Sequence, residues 1–135
     1  MEMEITFPGG ARVDASFDPF HVLTDQSPAD GGEGSAPSPF ALFLSSIGTC
    51  AGIYVLEFLR HRNLPSDGVR LIQRVDRNPK TGMVERIGID ILVPEGFPER
   101  YLPSLKRAAE LCTVKKHFQQ PPQFDVRAVL QRNGA

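Results

Sequence analysis

An α+β domain, with helices packed on antiparallel sheet, is what this sequence predicts, and three features carry the prediction. Apolar and polar residues alternate through the first two dozen positions, and a helix-length stretch from Phe40 to Leu59 is apolar nearly all round. A second pair of alternating segments is closed by a turn rich in Asn, Pro and Gly. At 135 residues the chain is expected to form one domain, 1–135, large enough to bury a core without disulfide staples.

Met1, Met3, Ile5 and Phe7 alternate with polar residues, Pro8-Gly9-Gly10 turns the chain, and Val13, Ala15 and Phe17 alternate again, which predicts a β-hairpin. A short strand through Phe20-His-Val-Leu-Thr24 follows Asp18-Pro19. Positions 25 to 38 are dense in Gly, Pro, Ser and Asp and are expected to be an exposed loop, the kind that tends to carry function when long. Ser38 is placed to cap a helix whose first position is Pro39, where a missing N–H costs nothing. That helix is expected to run to about Asn63. Its apolar residues surround it, the mark of a central helix. Small residues, Ser45, Ser46, Gly48, Thr49, Ala51 and Gly52, leave room in its middle for another backbone, a partner subunit's helix being the natural occupant.

Val69, Leu71, Gln73 and Val75 alternate as a strand, Asn78-Pro-Lys-Thr-Gly82 turns, and Ile87, Ile89, Ile91 and Val93 form the inward row of the return strand. Leu102, Leu105, Ala109 and Cys112 follow helical spacing, so a second helix is expected from Phe97 to about Phe118, stopped by Pro121-Pro122. Phe124, Val126, Ala128 and Leu130 alternate as a last strand before a polar tail.

Fifteen Lys plus Arg against sixteen Asp plus Glu give a formal charge of -1, which removes the general electrostatic drive toward nucleic acid. Neither a Gly-x-Gly-x-x-Gly nor a phosphate-binding loop occurs. The three histidines, His21, His61 and His117, have no metal-ligand spacing, so neither cofactor nor metal is expected. Two cysteines are too few for a secreted disulfide scaffold, and Met-Glu-Met-Glu-Ile lacks the pattern of a signal peptide. The polar and small residues inside Phe40 to Leu59 argue against a bilayer span. A cytoplasmic protein without a membrane anchor is the expectation.

The two thiols, Cys50 and Cys112, carry the chemistry. Cys50 is either a small apolar plug on the Phe43, Ile47, Tyr54 face of its helix or a reactive thiol. The second reading requires a cation from elsewhere in the fold, since it lies three turns inside the helix. Lys115, Lys116 and His117 follow Cys112 and either favour its thiolate or simply suit a helix C-terminus. If the two sulfurs meet, their bond closes a loop worth about 4 kcal/mol of chain entropy, and in a reducing compartment such a bond is catalytic or redox-sensing.

The run Gly31-Gly-Glu-Gly-Ser-Ala-Pro-Ser-Pro-Phe-Ala-Leu-Phe-Leu-Ser-Ser-Ile-Gly-Thr-Cys50, followed by Ala108-Ala-Glu-Leu-Cys112-Thr-Val-Lys-Lys, resembles the OsmC/Ohr family of thiol-dependent peroxidases, and His21-Val-Leu-Thr-Asp25 resembles its broader OsmC-like branch. The resemblance implies an OsmC-like fold of antiparallel sheets on two main helices in an intertwined homodimer, with N-terminal strands exchanged and central helices packed together. It further implies that Cys50 attacks an organic hydroperoxide and that Cys112 resolves the sulfenic acid as a disulfide. An external dithiol, a lipoylated protein or a small thiol, would then recycle the pair. The family's assisting arginine corresponds to Arg12, which is equally readable as a solvated strand residue. The family's Asn-Pro-Glu is here Ser38-Pro39-Phe40, so its carboxylate is missing, with Glu33 and Glu57 as the available substitutes. Thr113 stands where a proline commonly follows the second cysteine. The alternative implied by these departures is a non-catalytic protein of the same scaffold that binds a small apolar or thiol-containing ligand.

Overall fold

The computed structural model describes residues 1–132. The N-terminal alternation produces a three-stranded antiparallel meander, β1 (Glu4–Gly9), β2 (Arg12–Phe17) and β3 (Phe20–Thr24), in the order β1-β2-β3. Its register pairs Ile5 with Ala15 and Ala15 with Val22, so one face collects Ile5, Phe7, Val13, Ala15, Phe17, Phe20 and Val22. Among the described residues no helix packs extensively over that face, and Phe7 is 80% and Phe20 61% exposed.

The helix α1 (Pro39–His61) begins as expected: the Ser38 side chain accepts from the Ala41 amide at 3.2 Å and Pro39 occupies the first turn. It meets the length and composition of a membrane span, yet here the stripe Ile47, Ala51, Val55, Phe58 and Leu59 is buried as the core of the fold. Strands β4 (Arg70–Arg77) and β5 (Val84–Leu92) form the second sheet, with Leu71 opposite Ile91, Gln73 opposite Ile89 and Val75 opposite Ile87. These apolar rows close the core together with Leu105 of α2 (Leu102–Ala109). Burying a leucine as fully as Leu59 or Leu105 contributes about 1.5–3 kcal/mol each.

The one polar member of the inward row has a specific partner. Gln73 donates from Nε2 to the Leu44 carbonyl at 3.0 Å, and it reaches α1 at Gly48, where a Cβ would stand 2.8 Å from Gln73 Oε1. Gly48 therefore makes room for the chain's own sheet rather than for a second helix. Gly52, one turn on, faces open space.

Two expected elements differ. The helix predicted from Phe97 to about Phe118 is broken into a 3-10 turn at Glu99–Tyr101, α2, and a separate α3 (Thr113–Gln119). Helical spacing carries the inward residues through, but the chain turns at Glu110 and Leu111, and Cys112 leaves helical geometry at φ -47, ψ 118. The strand expected over Phe124 to Leu130 does not form, as this segment has no regular secondary structure and no ladder partner, and Phe124, Val126 and Leu130 are 85%, 94% and 85% exposed. Alternation specifies faces, whereas a strand also needs an adjacent edge to pair with, and none within the described residues takes that role. The end of the expected polar tail, 133–135, lies outside the described residues.

Candidate redox site

The break in the second helix builds the site. Cys112 is the N-cap of α3: its sulfur accepts from the Lys115 amide at 3.4 Å, the role that Ser or Asp usually fills. The turn draws this thiol inward to 2% exposure, beneath α1, where it lies 3.8 Å from the Ile47 carbonyl as a weak S–H donor. Cys50, half-buried, sits one turn along the same face of α1 from Ile47.

The first residues of α3 meet Cys50. Burial works against ionisation of its thiol, but the neighbouring Val114 amide, Cys112 thiol, and Thr113 amide and hydroxyl favour the thiolate, and the net shift is downward. Thr113 and Val114 are free to do so because amides in the first turn of a helix have no intrahelical partner. Cys112 moves the opposite way: burial pushes its thiol up, the Lys115 amide offsets part of that, and the adjacent Cys50 adds to the rise. Of the two thiols, Cys50 is the more acidic. Tyr54, four residues after Cys50, brings its hydroxyl to 2.9 Å from Thr113 Oγ1.

Lys115, Lys116 and His117 belong to α3 rather than to the end of one long helix. Lys115 contributes its backbone amide to the Cys112 sulfur, while His117 Nδ1–H donates to the Thr113 carbonyl at 2.7 Å within α3.

Arg12 is not brought to this site by its own chain. It lies on the polar face of the meander with Asp14 and Ser16, and its Nε donates to the Gly9 carbonyl at 3.2 Å. Glu57 is exposed on α1, and Glu33 is held in the loop by its amide, which donates to Asp25 at 3.3 Å. Phe40, standing where a carboxylate was sought, stacks on Phe43 at 5.4 Å and carries the Arg77 guanidinium over its ring at 4.8 Å. These rings and Phe118 border an open cleft of about 670 Å³. A second cleft of about 380 Å³ is lined by Ile47, Cys112 and the isoleucines of β5, and it shares Phe118 with the first.

Sequence reasoning assigned no role to Asp25. The carboxylate is 1% exposed and accepts from the Ser35 hydroxyl, the Ser35, Gln26 and Glu33 amides, while the Asp25 amide donates to the Pro37 carbonyl at 3.2 Å. The Ser35 contacts foremost hold its carboxyl down from 3.8 to about 2. Gly32 passes so close that a Cβ would meet the Gln26 carbonyl oxygen at 2.1 Å. This staple fixes the loop that delivers the chain into α1. In the sequence an Asp at the head of a Gly- and Ser-rich loop marks a turn but not a buried carboxylate.

Two neighbouring thiols shifted in opposite directions, one on a core helix and one at the start of a short one, on a frame of two antiparallel sheets, define an α+β protein with a pair of free thiols. The chain belongs to the OsmC family: the model of the OsmC-like protein matches residues 32–127. No curated protein matches the sequence. Among solved structures it is similar to a protein of Psychrobacter arcticus 273-4 named for an osmotic stress induced and detoxification response. That pair shares 20% identity over 84% of this chain and 85% of that one, with a TM-score of 0.71. It is also similar to an organic hydroperoxide resistance protein OsmC from Legionella pneumophila, 18% identical over 88% and 90% of the two chains, TM-score 0.54. OhrB, the organic hydroperoxide resistance protein of Bacillus subtilis, is 18% identical over 87% and 90%, TM-score 0.50. At these identities the likeness is one of fold.

Proposed function

We propose that this protein is a cytoplasmic thiol-dependent reductase of organic hydroperoxides in oxidative-stress defence, acting as a single domain over 1–135 in an intertwined homodimer. The observation that carries the reading is the placement of Cys112 against Ile47, one turn from Cys50 on α1, with the Cys50 thiol shifted down and the Cys112 thiol shifted up. The Cys50 thiolate attacks the distal oxygen of ROOH; the O–O bond breaks, the sulfur becomes sulfenic acid, and the alkoxide leaves as ROH after taking a proton. The Cys112 thiol then attacks that sulfur, forming the disulfide and releasing water. An external dithiol, a lipoylated protein or a small thiol, exchanges with the disulfide and restores both thiols. The apolar clefts around Phe118 favour an organic over an inorganic peroxide. Arg12, fastened in its own hairpin, would assist a Cys50 sulfur only across a subunit boundary, and the intertwined dimer supplies that route.

The reduced protein is expected to consume tert-butyl hydroperoxide with dithiothreitol as reductant, and Cys50→Ser to abolish consumption. Equal turnover by the wild type and Cys50→Ser would overturn the reading. The aromatic cleft at Phe40, Phe43 and Phe118 favours one second reading, a carrier of a small apolar ligand. It predicts no peroxide turnover and a ligand retained in native mass spectrometry.

A further inference from the structure

The larger cleft has a charged end that the thiol chemistry does not use. Its apolar wall is aromatic, with Phe40 stacked on Phe43 at 5.4 Å and Phe118 set edge-on to Phe43 at 5.5 Å. The end of the β4 and β5 hairpin forms the opposite wall and brings three charged side chains, Arg77, Glu85 and Arg86. Glu85 is engaged, since its Oε1 accepts from Asn78 Nδ2 at 2.7 Å. Across the strand pair Arg86 faces Asp76, whereas Arg77 faces Val84. The Arg77 guanidinium lies 4.8 Å from the centre of the Phe40 ring, and its Nη1 donates to the Gly82 carbonyl at 3.4 Å. No carboxylate among the described residues pairs with it.

An aromatic face attracts a cation but is a poor acceptor for the planar N–H fork, whose complement is a carboxylate held by two parallel hydrogen bonds. The Phe40 ring also keeps water from one side of the guanidinium, which strengthens its attraction for a charge on the other. A cavity of about 670 Å³ with an aromatic wall and one convergent cation has the make-up of a small-ligand site. We propose that this cleft binds an amphipathic carboxylic acid, its carboxylate on Arg77 and its apolar body against Phe40, Phe43 and Phe118. Ile87 and Phe118 also line the cleft that Cys112 borders, so the apolar end of the ligand points along β5 toward the thiols. The assignment holds whether or not those thiols act on a peroxide, and its test contains none.

The test is isothermal titration calorimetry of the reduced full-length protein with octanoate and with octanamide, its neutral counterpart. The wild type is expected to bind octanoate about fivefold more tightly than octanamide, with the preference shrinking at high salt. Arg77→Met keeps an unbranched apolar stem and is expected to lose the preference, binding octanoate about fivefold more weakly and octanamide as before. Arg77→Lys, which keeps the charge without the fork, is expected to retain part of it. Phe40→Glu sets a carboxylate of the chain itself beside Arg77 and is expected to abolish it. Phe118→Ala is expected to weaken both ligands by a similar factor, because it removes apolar wall common to both. Equal affinity for the two ligands in the wild type, or a full preference in Arg77→Met, would overturn the proposal. So would binding of neither ligand, the result expected if a second copy of the chain fills the cleft. Should Arg77→Met not fold, Phe40→Glu decides it, by a lost or an unchanged preference. Peroxide turnover, measured separately, bears on the thiols alone: its absence leaves octanoate binding standing, and absence of binding leaves the peroxidase standing.

Discussion

At the residue scale Asp25 gives the sharpest pH prediction. Its carboxyl is held at about 2 in the fold against an ordinary 3.8, so its stabilisation is complete above the ordinary value and is lost as pH falls toward the folded one. Asp25→Asn keeps the shape and removes the charge. Urea midpoints measured across this window should fall steeply with acid in the wild type and less steeply in Asp25→Asn; parallel slopes would show that the staple does not depend on ionisation. This carboxylate was illegible in the sequence because its main partner, Ser35, lies ten residues away and its burial depends on how the loop closes. Cys50 and Cys112 were legible as a pair, since each sat on an apolar stripe. Their opposed acidities were not, because the burial that raises Cys112 and the amides that lower Cys50 both follow from the turn at Glu110 and Leu111.

Among the elements, α2 is too short to persist in isolation and depends on one side chain. Eight residues are too few for a helix to persist by itself, and Leu105 is its only buried residue. Leu105→Ala is expected to destabilise by about 2–5 kcal/mol, whereas Leu102→Ala, at a site 40% exposed, should cost less than about 1 kcal/mol. Chemical denaturation measures both, and similar losses would contradict the anchoring role. The periodicity of Leu102, Leu105, Ala109 and Cys112 correctly marks the inward face, but the same spacing fits one continuous helix or two with a turn between. The warning was local: Thr113 and Val114 are β-branched and follow a cysteine, a stretch of modest helix propensity whose thiol can cap the chain after it. The caps of α1 and the register of β4 and β5 were readable because short-range chemistry sets them, Ser38-Pro39 in one case and strict alternation in the other.

On the scale of the whole molecule, two sets of apolar side chains stand uncovered among the described residues, the meander face carrying Phe7 and Phe20 and the C-terminal segment carrying Phe124, Val126 and Leu130. Contiguous exposed apolar surface on this scale marks an association site. Light scattering is expected to find a homodimer for the wild type and a monomer for Phe7→Lys/Phe20→Lys; a monomeric wild type would remove the intertwined assembly and, with it, the route for Arg12. The sequence showed the stripe on the meander but not that its own helices would leave it bare, because alternation says which side chains share a face and nothing about what lies opposite. In such an assembly folding becomes a second-order event. The melting temperature would then climb as the sample is concentrated and sink on dilution, and the robustness of the polypeptide would belong to the solution as much as to the molecule.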